Sequence, residues 1–272
     1  MQKLGLFVSL LPAFAFGAVL SGCDNPSKTE SAPSATASAA ATTAPTPTPT
    51  PAPTPSAAPS PPKPKKKLAD CPTGPDVTID NPALEAELRK KLEKPSGAIA
   101  KADLKRLKSL NLSQLKDIHE LDPCLFTPMT GLKELFLGPG DYDDLSPLAG
   151  MTQLESLRAS INQVKDLKPL EKLTKLDRLD LGRTQVSDLK PLEKLSNLTE
   201  LQLDDTPVED LTPLAGLTKM ENLSLKHTKV KDASPLKGMK KLKFIYIGGT
   251  PLDDDPVTLG PVRGQGTKVI SD

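Results

Sequence analysis

The chain has 272 residues, but its composition excludes a fold over the whole length: residues 26–62 are almost entirely Ala, Ser, Thr and Pro, too poor in apolar surface to offset chain entropy. Six of the 35 basic and two of the 34 acidic residues precede residue 68, so the foldable part carries 29 against 32, a net charge of −3, which excludes the basic surface of a nucleic-acid-binding protein. With 3% aromatic residues and no Trp, the core is confined to aliphatic side chains, chiefly Leu, as in a solenoid rather than an ordinary globular enzyme.

Lys3 and the apolar run that follows it to Leu20 have the layout of a secretory signal, residues 1–22. The run closes on Leu20, Ser21, Gly22 and Cys23, an ending that resembles the lipobox of bacterial lipoproteins. The resemblance implies a diacylglycerol thioether on Cys23 and an amide-linked acyl chain; two or more chains anchor stably where one binds marginally. A membrane-spanning helix is disfavoured because the run is short and Pro12 interrupts it. Asp24 resembles an inner-membrane retention signal of enteric-type bacteria, a rule other lineages do not follow, so a periplasmic or a cell-surface location is open.

Residues 23–67 then read as a lipid-anchored, disordered tether. As an extended Pro-rich spacer at about 3.1 Å per residue, it reaches on the order of 100 Å. The cluster KPKKK at 63–67 is either a solvated linker end or a contact for anionic lipid or cell-wall polymer.

Residues 68–106 are expected to form a helical N-terminal cap. Asn81 and Pro82, ahead of ALEAELRKKL, read as N-cap and first helical residue, and a second short helix is expected around 102–108. Cys71 and Cys124 remain once Cys23 is assigned to lipid. Outside the cytoplasm an even pair suggests a disulfide, worth about 4 kcal/mol for a loop of roughly 50 residues; the alternative is two unpaired buried thiols.

Repeats occupy 107–250. From Met129 a 22-residue unit recurs without gaps, as in LTKLDRLDLGRTQVSDLKPLEK and LSNLTELQLDDTPVEDLTPLAG. Leu179 and Leu181 alternate as the inward face of a short strand. No unit can bury that face alone, so neighbours must stack. Leu110 and Leu112 precede Leu135 and Leu137 by 25 residues, which makes a first rung with a three-residue insertion. The pattern closely resembles the internalin-type leucine-rich repeat over about half the chain, and the cap segment resembles the helical cap of internalin-like domains. This implies an α/β solenoid: a horseshoe with a parallel concave β-sheet, short helical or 3-10 convex turns and a helical N-terminal cap.

Other positions recur with the leucines. Asp144, Asp166, Asp188, Asp210, Asp232 and Asp254 are read as turn stabilisers; calcium needs several converging oxygens, and no metal or cofactor is expected. Pro147 and its equivalents suit the first position of a short helix, with Ser146, Thr212 or Ser234 expected to cap it. Gly150, Gly216 and Gly238 are expected to close it in a left-handed conformation. Where the family usually has Asn, the chain has Asn162 once and then Thr184, Thr206, Thr228 and Thr250, whose hydroxyls can still bond the backbone. Residues 251–272 form a C-terminal cap in which PVRGQGTKVISD is read as a short final strand.

The outward strand residues define the candidate binding surface: Phe136, Arg158, Asp180, Gln202, Ser224 and Tyr246, flanked by Arg178, Glu200, Asn222 and Phe244. Aromatic residues and Arg at the ends of this row are typical interface anchors. His119 and His227 lie in different rungs, and neither a zinc-ligand spacing nor a phosphate loop is present, so an enzyme is not expected. The expectation is a monomeric, membrane-anchored, extracytoplasmic module that binds a protein through its concave face and does not bind nucleic acid; the alternative is a structural envelope lipoprotein without a specific ligand.

Overall fold

The computed structural model describes residues 65–115, 118–253 and 255–271. The signal segment, Cys23, the tether to residue 64 and Asp254 lie outside the described residues. Eight three-residue strands form one parallel sheet in sequential order: β1 (Ser109–Asn111), β2 (Glu134–Phe136), β3 (Ser156–Arg158), β4 (Arg178–Asp180), β5 (Glu200–Gln202), β6 (Asn222–Ser224), β7 (Phe244–Tyr246) and β8 (Lys268–Ile270). Leu110 pairs with Leu135, so the three-residue insertion is absorbed between β1 and β2; from β2 to β7 each pairing advances by one repeat.

Each strand's central residue points inward, and the column Leu135, Leu157, Leu179, Leu201, Leu223 and Ile245 is at most 2% exposed. Alternation puts the next column inside as well, Leu137, Ala159, Leu181, Leu203, Leu225 and Ile247. Tyr142 fills the place that Val164, Val186, Val208 and Val230 take in later rungs, and burial pushes its phenol up to about 12.

The return side of each rung is a 3-10 turn, such as Lys168–Leu170, Lys190–Leu192 and Thr212–Leu214. The periodic aspartates start these turns. Asp144, Asp166, Asp188, Asp210 and Asp232 each accept the backbone N–H two residues on, at 2.7–2.8 Å. Capping by Ser146, Thr212 and Ser234 is therefore corrected: they are the first residues of their turns, and the cap positions fall on Leu145, Leu211 and Ala233, which make no side-chain cap bond. The Thr212 and Ser234 hydroxyls instead donate to Asp210 and Asp232, and with the amides hold both carboxyls below the usual range.

The left-handed glycines are a second correction. Among the described residues the glycines at positive φ are Gly97, Gly249 and Gly266, not Gly150, Gly216 or Gly238. The left-handed corner of the coil lies one residue before the Asn/Thr position. There Ile161, Arg183, Asp205, His227 and Gly249, 22 residues apart, have φ between 55° and 70°. Behind that corner Thr184, Thr206, Thr228 and Thr250 donate their hydroxyls to the carbonyl three residues back at 2.6–2.7 Å. Asn162 donates to Gly138, Ala159 and Ser160 carbonyls, while its buried Oδ1 has no partner. Thr thus engages its one polar atom where Asn leaves an acceptor unmet, a reason the substitution preserves the coil.

Both ends are closed. Helix α1 (Pro82–Leu92) begins at Asn81, whose side chain accepts Leu84 N–H, and buries Leu84 and Leu88. Helix α2 (Lys101–Leu104) is shorter than expected and buries Leu104. Helix α3 (Pro123–Phe126) starts on Asp122 and carries Cys124, which forms a disulfide with Cys71. Contacts to the folded domain begin at Lys65, inside the segment read as tether: Lys65 pairs with Asp143, and Lys66 bridges Asp80 and Asp122 at 2.9 and 2.8 Å. Those two carboxylates raise the Lys66 ammonium above the usual range. At the C-terminal end the single-strand expectation is corrected in part. Pro256–Gly264 is helix α4, started by Asp255, which accepts Val257 and Thr258 N–H groups, and packed through Leu259 and Val262; only Lys268–Ile270 is strand.

Candidate concave interface

The register decides which side chains share the outer face of the sheet. Phe136, Arg158, Asp180, Gln202, Ser224 and Tyr246 are successive partners across β2–β7, and Arg178, Glu200, Asn222 and Phe244 form the adjoining column across β4–β7. Every residue singled out from the sequence for this face is brought onto it. At about 4.8 Å per strand, Phe136 and Tyr246 stand about 24 Å apart.

The described residues include five aromatics: Phe126, Phe136, Tyr142, Phe244 and Tyr246. Phe126 and Tyr142 are buried. The other three are half-buried and all lie on the concave face. Each is paired with a cation: Arg158 lies 5.8 Å from the Phe136 ring centre, Lys226 5.6 Å from Tyr246 and Lys268 5.6 Å from Phe244. Such contacts fix long side chains that would otherwise be mobile and are worth about 0.5–1 kcal/mol at exposed sites.

Asp180 is more constrained than a free contact residue. Its carboxylate takes Arg158 Nε at 3.1 Å, Ser160 Oγ at 3.0 Å and Gly182 N at 3.1 Å, and its side chain is 17% exposed while that of Arg158 is 56% exposed. Asp180 thus orients Arg158 over Phe136. A shallow groove of roughly 240 Å³ lies beside them, bordered by Glu134, Ser156, Arg178 and Glu200. In the column preceding the strands, Lys133 pairs with Glu155 and Lys243 with Glu221, at 2.7 and 2.6 Å; Lys133 holds the Glu155 carboxyl below its ordinary range.

The sequence reading missed Lys226, Lys268 and the corner column. Lys226 continues the alternation Asn222, Ser224 by one more step, a signal present in the sequence. On the corner, Asp205 accepts from Arg183 at 3.3 Å and meets His227 Nδ1 at 2.9 Å. Among the described residues no three His, Cys, Asp or Glu side chains converge as a metal site, and no helix is long and apolar enough to cross a membrane.

Comparison with known proteins agrees with this geometry. Residues 152–194 match the family model for leucine-rich repeats in two copies. No curated protein matches the chain. Internalin C2 from Listeria monocytogenes is similar in structure, with TM-score 0.53 and 25% identity over 64% of this chain and 89% of its own. A second internalin of that organism, inlF, has TM-score 0.56 and 22% identity over 70% of this chain and 62% of its own. The fold is a leucine-rich-repeat horseshoe, and the matched repeats together with these likenesses support repeats of the internalin type.

Proposed function

We propose that this leucine-rich-repeat chain is a bacterial lipoprotein, anchored through lipid on Cys23, that presents its horseshoe outside the cytoplasm as a binding surface for a protein. Leucine-rich-repeat domains generally mediate protein–protein interaction, and internalin-like proteins are typically binding proteins rather than enzymes. The observation that carries the reading is the placement of aromatics: in a domain this poor in them, the three that are not in the core all face the concave sheet. Half-buried aromatics beside Arg are the side chains that dominate protein interfaces. Arg158, Arg178, Asp180, Gln202 and Ser224 supply the polar surface between the anchors.

The anchor and the compartment are supported by the residues that end in LSGC and by the Cys71–Cys124 disulfide, which suits an oxidising location. A purely structural role through the KPKKK cluster is weakened because Lys65 and Lys66 are ion-paired to the domain's own aspartates.

Capture from a cell-envelope extract tests the reading. The wild-type chain is expected to retain a protein that a folded Phe136→Ala/Tyr246→Ala variant loses. Equal retention by both chains would remove the concave face from the account. Loss of membrane association in a Cys23→Ala variant is expected, and its persistence would count against the lipid anchor.

A further inference from the structure

Charge is unevenly distributed along the concave sheet. Take the outward positions of each rung as the residue before the strand and the strand's first and last residues. On β2–β5 these positions carry five carboxylates against three cations. On the last three rungs the balance reverses: Lys243 and Lys268 stand against one carboxylate, Glu221, which Lys243 engages. The position two residues past the strand, which adds Asp204 to the carboxylates of β5, adds Lys226 on β6, reaching over Tyr246 while its backbone N–H donates to Asp204 at 2.9 Å. The same end holds two of the three concave aromatics, Phe244 and Tyr246, on one strand. Each has an ammonium 5.6 Å from its ring centre. Apolar contact area and positive charge therefore coincide on β7 and β8.

We infer that the β7–β8 end of the concave face anchors an acidic polypeptide segment, one that sets Asp or Glu beside a large apolar side chain. This rests on the concave-face reading above and names the partner's chemistry. Carboxylates of the partner meet Lys268, beside which Lys226, itself engaged within the fold, adds positive charge, while the partner's apolar group covers the Phe244 and Tyr246 rings, the combination of central apolar burial and complementary charge that specific interfaces use. The excess of carboxylates on β2–β5 sets the direction of the partner, whose basic residues lie toward that end. The same excess argues against nucleic acid, whose uniform negative charge would be attracted at β7–β8 and repelled along β2–β5.

The test uses a random peptide library displayed on phage and selected on the immobilised full chain. Selected peptides are then measured against three variants: Lys226→Glu/Lys268→Glu, the milder Lys226→Gln/Lys268→Gln, and Phe136→Ala, each checked for an unchanged melting temperature. The expected result is enrichment of Asp and Glu next to Leu, Phe or Trp, with affinity falling at least about tenfold in either lysine pair and least in Phe136→Ala. The glutamate pair should in turn select Lys- and Arg-containing peptides. Enrichment without acidic residues, or no enrichment, overturns the inference, as does binding that both lysine pairs leave unchanged. In that last case, dependence on Phe136 keeps the concave-face reading while this inference falls; independence from all three variants removes both.

Discussion

Leu201→Ala is the sharpest perturbation of the stack. Leu201 is the central residue of β5, has no exposed surface, and lies in register between Leu179 and Leu223. Removing three carbons forfeits about 0.8 kcal/mol each in transfer free energy. The cavity term adds to this, because the hydrogen-bonded strands on both sides hold their spacing of about 4.8 Å and keep the neighbouring leucines from closing the gap. Leucine-to-alanine losses span about 2–5 kcal/mol according to how far the site collapses, and a rung clamped on two sides belongs in the upper part, about 3–5 kcal/mol. For a domain of this size, that lowers the melting temperature by roughly 6–20 °C. Urea titration and thermal melting by circular dichroism measure it, with Gln202→Ala as the outward-facing control, expected within about 0.5 kcal/mol of wild type. If Leu201→Ala melts with the wild type, or Gln202→Ala proves the more damaging, the inward assignment of this column is wrong.

Three other outcomes follow from the same structure. Ile161 is a β-branched residue at φ 60° and is 44% exposed; Ile161→Asn should stabilise the domain by about 1 kcal/mol, since Asn tolerates the left-handed conformation, and a lower denaturation midpoint would contradict that. Replacing Cys71 and Cys124 by Ser opens a crosslink spanning 53 residues and should cost about 4 kcal/mol in the chain-entropy model; an unchanged unfolding midpoint under oxidising conditions would refute the pairing. The Tyr142 phenol, pushed up to about 12 by burial, is neutral in the fold where the unfolded chain already ionises. Its stabilisation is therefore complete below about pH 10 and lost as the pH rises toward about 12. Phenolate absorbance and unfolding should rise together in that window, with a shallower loss in Tyr142→Phe.

Much of the fold was legible because stacking leaves the sequence little freedom. Leu179, Leu181, Val186 and Leu189 must recur at fixed offsets if each rung is to cover the last, and the strands, their register and the concave row follow from that recurrence. Asn81–Pro82 announced α1 by its side-chain cap and fixed first φ. The same Asx–Pro signal at Asp122–Pro123 and Asp255–Pro256 starts α3 and α4, but at the C-terminus the segment from Pro261 onward was read as strand. The corner was illegible for a different reason. Ile161, Arg183, Asp205 and His227 share no side-chain chemistry, so a backbone constraint repeated every rung left no compositional trace, and the glycines that looked suited to it lie elsewhere. At the interface the aromatics stood out by scarcity. Of the cations above them, Arg158 was legible in the same row and Lys226 one step beyond it, but Lys268 was not, because pairing it with Phe244 requires the eighth strand to lie beside the seventh, a fact of tertiary structure.

Whether the concave face meets a protein partner can be read by site-specific photo-crosslinking in living cells. A photoreactive phenylalanine analogue replaces Gln202 on the exposed middle of the concave row or, as a control, Lys194, whose side chain is 74% exposed just past the Lys190–Leu192 turn on the opposite side. The expected result is a discrete crosslinked species from position 202 that position 194 does not give, and that disappears when Phe136 and Tyr246 are replaced by Ala. A species formed from 194 and not from 202 would place the binding surface on the convex side and contradict the concave-face reading.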